Sequence, residues 1–67
     1  MKNRLIRMDE VIFLTSLSRP TIYRYMKAKL FPPSMNLGGG AIAWRESDIN
    51  DWMVALVASR DSREEHK

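Results

Sequence analysis

The placement of the three prolines limits what this chain can form. Proline lacks an amide hydrogen and its ring clashes with the turn before it, so a helix accepts it only in its first turn, where that hydrogen has no partner anyway. Pro20 follows Ser18 by two positions. Ser18 therefore reads as a helix N-cap, its hydroxyl oxygen placed to accept a backbone N–H of the first turn. Pro32-Pro33 closes the same stretch, because proline drives its predecessor out of the α region. Between them the sequence predicts a helix from about Arg19 to Lys27 or Ala28. Ile22 and Met26 share one face of it, and Leu30 extends that stripe. Thr21, Arg24 and Lys27 lie elsewhere on the helix, Tyr25 is expected to be structural, and Tyr23 divides between packing and contact with a phosphate.

The remaining segments read around this helix. Residues 1–7 are basic and hold an apolar pair, Leu5 and Ile6, suited to a short strand or an extended arm. A first helix is expected from Met8 or Asp9 to Thr15 or Ser16. Asp9 is its expected N-cap, and Asp9 and Glu10 suit the positive end of the helix dipole. Val11, Leu14 and Ile12 give its apolar face, and Phe13, off that stripe, is expected against a neighbouring element. After the prolines come Met35-Asn36-Leu37, the run Gly38-Gly39-Gly40, and Ala41-Ile42-Ala43-Trp44, which predict two short strands around a glycine tip. Ile42 and Trp44 are two apart and face one side. A last helix starts at Glu46 or Ser47. Ile49, Trp52, Met53, Leu56 and Val57 recur on it at helical spacing as a core-facing stripe. The expected domain is 1–58, followed by a charged disordered tail over 59–67. The fold class is mainly α with a small β-hairpin, a winged helix-turn-helix of three helices plus a wing.

Composition removes several chemistries. The 67 residues include no cysteine, which excludes disulfides, thiolate nucleophiles and cysteine-ligated zinc. His66 is penultimate, a poor place for a catalytic imidazole. Thr15, Ser16 and Ser18 have no histidine or lysine arranged to activate them. The glycine run lacks the Lys-Ser/Thr and the strand-to-helix context of a nucleotide loop, and the acids of the last helix are not spaced for a metal. The expectation is no enzyme, no cofactor and no small-molecule ligand. The longest apolar run, Met53 to Ala58, is far below the roughly 20 residues of a membrane span. Residues 1–4 do not open a signal peptide. The expected location is the bacterial cytoplasm, in association with the nucleoid.

Charge supplies the positive signal. The net charge is +3, but residues 1–34 hold seven Lys/Arg against two acids, whereas residues 35–67 hold four against six. From Ser18 to Leu30 the basic residues are Arg19, Arg24, Lys27 and Lys29, with no acid among them. Two helices joined by about three residues would hold the second one on the surface, where its N-terminal residues can enter the major groove. The expected partner is double-stranded DNA. The expected DNA-binding residues are Ser18, Arg19, Thr21, Tyr23, Arg24 and Lys27, with Gly38, Gly39 and Gly40 as the wing.

Val11, Thr15 through Arg24, Phe31-Pro32-Pro33, Ala41 through Arg45, Ser47-Asp48-Ile49 and Trp52 together resemble the AlpA family. These are small phage and prophage regulators related to the MerR-like winged-helix excisionases. The resemblance covers about residues 4–57. It implies sequence-specific transcriptional control of a prophage or integrative element, acting on integrase or excision genes. The alternatives are an excisionase-type factor that bends DNA, or an anti-repressor module that has lost DNA binding. Integrase, or a second copy bound at an adjacent site, are the further candidate partners, with a monomer expected in solution. The chain departs from the family pattern at four positions. Ser16 and Lys29 replace glycines, Pro20 replaces a serine, and Gly40 replaces an arginine of the wing.

Overall fold

The two expected strands of the wing are joined by a third. The computed structural model describes the backbone of residues 4–64 and the side chains of residues 4–61. Its elements are β1 (Leu5–Ile6), α1 (Met8–Thr15), α2 (Arg19–Lys27), β2 (Met35–Gly38), β3 (Ala41–Arg45) and α3 (Glu46–Glu64). The sheet order is β1-β3-β2, both pairings antiparallel. Leu5 and Ile6 pair with Arg45 and Trp44, so the basic N-terminal segment forms an edge strand. The result is a mainly α winged helix-turn-helix.

β1 is fastened at its entrance by charge. The Arg4 guanidinium bonds the carboxylates of both Glu10 and Glu46, its Nε lying 3.3 Å from Glu46 Oε1. The amide of Glu46 also donates to the Arg4 carbonyl at 2.7 Å. Hydrogen bonds to Glu46 and then Glu10 raise the Arg4 pKa above its ordinary value, so the link between β1, α1 and α3 stays cationic at any working pH.

The core draws on nearly every element. Ile6, Met8, Val11, Ile22, Phe31, Trp44 and Ile49 are buried together, with Ile12, Leu14, Leu17, Tyr25, Met26, Ile42, Trp52 and Met53 packed against them. Phe31 meets Trp44 and Trp52 edge-on, with ring centroids 6.2 and 4.8 Å away. Edge-to-face contact is favoured because the positive ring edge meets the negative face. The two indole N–H groups tie down the proline-rich linker. Trp44 Nε1 donates to the Pro32 carbonyl at 3.0 Å, and Trp52 Nε1 to the Leu30 carbonyl at 2.9 Å.

Five expectations are corrected. Asp9 is not the N-cap of α1. Arg7 occupies that position without a side-chain cap, and Asp9 lies in the first turn, its Oδ1 accepting from the amide of Glu10. Phe13 packs on nothing and is 82% exposed. The side chain of Leu30 is exposed, because the chain has already left the helix at Lys29. Leu56 and Val57 are exposed, Leu56 because α3 carries the core-facing line past the body and Val57 because it lies about 80° round the helix from Ile49. The segment read as a disordered tail from residue 59 continues α3 to Glu64, and residues 65–67, with His66, lie outside the described residues.

Candidate nucleic-acid interface

The interface begins with the turn that frees α2. α1 ends at Thr15, and Ser16 takes the left-handed conformation (φ 64°) as its C-cap, donating its amide to the Ile12 carbonyl at 2.9 Å. That single left-handed residue reverses the chain, and Leu17 packs against the core, so α2 starts at once on the other side of the turn. Ser18 caps it as its sequence predicts. Its Oγ accepts from the Thr21 amide at 3.4 Å, with Pro20 in the first turn. Ile22 is fully buried and Met26 half-buried, which leaves the opposite face of α2 open. At its far end Lys29 adopts φ 62° and ends the helical turn.

On the open face the sequence-expected residues gather. Ser18, Arg19, Tyr23, Arg24 and Lys27 are exposed and Thr21 is half-buried. Thr21 Oγ1 accepts from the Ser18 hydroxyl at 2.8 Å and from Arg24 Nη2 at 3.4 Å. These bonds hold the Arg24 guanidinium along the helix toward its N-terminus. Tyr25 turns the other way and packs on the core.

The wing lies beside this face. Gly38, Gly39 and Gly40 all have positive φ (96°, 60° and 81°). Three such residues in succession strain any residue with a Cβ, which accounts for the glycine run. Asn36 Oδ1 accepts from the Gly38 amide at 2.9 Å and shapes the turn. Between wing and α2 is a cleft of about 460 Å³, lined by Arg7, Asp9, Arg19, Tyr23, Gly40 and Ala41 among others. Arg7 is the residue that sequence reasoning missed. It was assigned to the basic N-terminal stretch, and only the pairing of β1 with β3 brings the start of α1 next to the wing.

The electrostatics of the two sides differ. Arg4 is bonded to Glu10 and Glu46, and Arg45 lies 3.7 Å from Asp48. Among the described residues, Arg7, Arg19, Arg24 and Lys27 have no acidic partner within ion-pair distance. Asp9 is the one acid lining the cleft. Four cations left without acids thus lie on α2 and at the cleft, and Lys29, just beyond the end of α2, is a further one. No group of His, Cys, Asp and Glu among the described residues has the arrangement of a metal site. Nor is any of their helices long and apolar enough to cross a membrane.

The family model described as prophage CP4-57 regulatory protein (AlpA) matches residues 4–57, from the arginine that fastens β1 to the middle of α3. The chain belongs to the AlpA family. This is a family of regulatory proteins and not of enzymes. Among its relatives is a protein of Enterobacteria phage P4 described as uncharacterized protein ORF88, 41% identical over 59 residues that cover 88% of this chain and 67% of that one. Another is the DNA-binding transcriptional activator AlpA of Escherichia coli (strain K12), 32% identical over 56 residues, or 75% of this chain and 80% of that one. No solved structure matches. Ser16 and Lys29, within the matched residues, both take the left-handed backbone that a glycine would adopt freely.

Proposed function

We propose that this chain is a sequence-specific DNA-binding regulator of a prophage or integrative element, acting on integrase or excision genes. Its place of action is then the bacterial cytoplasm, on the nucleoid. The observation that carries the reading is the segregation of its cations. Among the described residues Arg4, Arg45 and Arg60 bond carboxylates, whereas Arg7, Arg19, Arg24 and Lys27, on α2 and at the wing cleft, and Lys29, just past the end of α2, are in no ion pair. Unpaired cations on one convex helix match the phosphate-lined walls of a groove.

In this reading α2 enters the major groove. Arg24 and Arg19 reach base edges or flanking phosphates, Lys27 and Tyr23 contact the backbone, and Ser18 and Thr21 orient the first turn. Arg7 and the amides of the glycine tip approach a backbone phosphate in the cleft beside Arg19. The wing acts through its backbone, because Gly40 brings no side-chain charge. The AlpA relative named as a transcriptional activator supports gene regulation over a purely architectural role.

The test is fluorescence anisotropy of the purified chain at two salt concentrations. The probes are duplex from upstream of its own gene, duplex from the neighbouring integrase gene, and a scrambled duplex. A preference for native duplex that survives the higher salt supports the proposal. Equal binding erased by salt is what phosphate contacts alone produce, and it would replace specific regulation with a sequence-blind or protein-directed role.

A further inference from the structure

The two faces of α3 carry separate apolar lines, and the core uses only one. Ile49 is fully buried, Trp52 and Met53 pack against the core, and Leu56 continues that line outward. At 100° per residue, Val54 falls about 140° and Val57 about 80° round from Ile49, on a second line that also carries Asn50 and Asp61. Val54 is 68% exposed and Val57 51% exposed. With Met53, Ala58 and Asp61 they line a shallow apolar depression of about 410 Å³. The face carries an acid and no Lys or Arg along its central line, so it is not a second DNA surface.

We propose that this face pairs with the same face of a second copy of the chain, the two α3 helices running antiparallel about a two-fold axis between Ala55 and Leu56. The spacing Asn50, Val54, Val57, Asp61 follows the alternating four-three steps of a helix-pairing seam. In the antiparallel register each Val54 meets Val57 of the second copy, and each Asn50 amide meets the Asp61 carboxylate of the second copy. The seam is thus two valine pairs closed at both ends by a hydrogen bond to an ionised acceptor. The parallel arrangement sets Asp61 against Asp61 and aligns the helix dipoles, both repulsive. A self-complementary patch of this kind is what two-fold association requires.

The seam is short, well under the size of a stable interface, so it makes a weak pair in solution. Two copies on adjacent DNA sites would be held at high effective concentration, and there the same seam suffices. The pairing stands apart from the proposed DNA reading, because it uses no residue of α2 or the wing and is tested without DNA.

The chain has no cysteine, so introduced thiols report alone. Full-length Val54→Cys and Val57→Cys are mixed and oxidised at high micromolar concentration. Antiparallel pairing gives the mixed 54–57 disulfide in several-fold excess over either like pair. Sedimentation of the unaltered chain should then rise from monomer toward dimer as concentration increases to the millimolar range. Val57→Glu should abolish that rise with unchanged circular dichroism, since Val57 is half exposed and is not among the residues of the core. An excess of like pairs would overturn the antiparallel register. Statistical cross-linking together with a monomer at every concentration would overturn self-association itself.

Discussion

Arg24 and Arg7 are both free of acidic partners, yet their positions give them different tasks. Arg24 is steered by its bond to Thr21 Oγ1 at 3.4 Å and projects from the exposed face of α2. Arg7 precedes α1 and opens on the cleft beside the wing, where a strand backbone would pass. On the proposed reading, Arg24→Ala weakens binding to the native duplex by about 1–3 kcal/mol and to scrambled duplex much less, since a base contact is lost. Arg7→Ala weakens both duplexes alike and lowers the slope of log affinity against log salt by about 1, since one phosphate contact is lost. Titrations of both variants at several salt concentrations separate the two outcomes. Equal loss on both duplexes for Arg24→Ala would make it a second phosphate contact. Neither side chain is buried, so both variants should keep the unaltered circular dichroism.

At the scale of elements, the ends of the helices carry stored strain. Lys29 at φ 62° ends α2 where a glycine would adopt the same conformation without a Cβ clash. Lys29→Gly should therefore stabilise the fold by up to about 1 kcal/mol, less the extra entropy of glycine in the unfolded chain. Urea denaturation checks it, the midpoint rising at unchanged slope. The limits of α2 were legible in the sequence because proline and an N-cap serine act within one turn. The glycine tip was legible for the same local reason. β1 was legible only as a short strand or an extended arm, because Leu5 and Ile6 pair with Arg45 and Trp44, about forty residues on, and no local pattern declares that partner. Arg7 shared the fate of β1, since its place beside the wing follows from that pairing. α3 shows a third kind of limit. Its apolar residues lie on two faces, and periodicity marks a face as apolar without telling whether the body covers it. Val57 was therefore counted with Ile49 and Trp52 although it lies at the margin of their line, and Leu56, on the right line, extends past the body.

For the molecule as a whole the decisive fact is how few side chains the core contains. Every element except β2 and the outer half of α3 puts one or two residues into a single cluster, so there is no second core to fall back on. A domain of this size has a small stability margin, and a loss in one element is felt in all of them. Trp44 concentrates that dependence. It is fully buried, pairs through Ile6 with β1, touches the ring of Phe31, and donates to the Pro32 carbonyl at 3.0 Å. Trp44→Ala should cost about 3–5 kcal/mol, comparable to the entire stability, and leave the chain largely unfolded at 37 °C. Trp44→Phe keeps an aromatic ring but leaves the Pro32 carbonyl without its donor, which adds about 1–3 kcal/mol if water cannot replace it. That linker holds the end of α2 against the sheet, so the partial loss should appear as one cooperative transition at lower denaturant, with α2 and α3 melting together. Amide exchange on the variant would check this. If α2 lost protection well before α3, α2 would be a separately unfolding unit and the wing cleft would not persist in the folded variant.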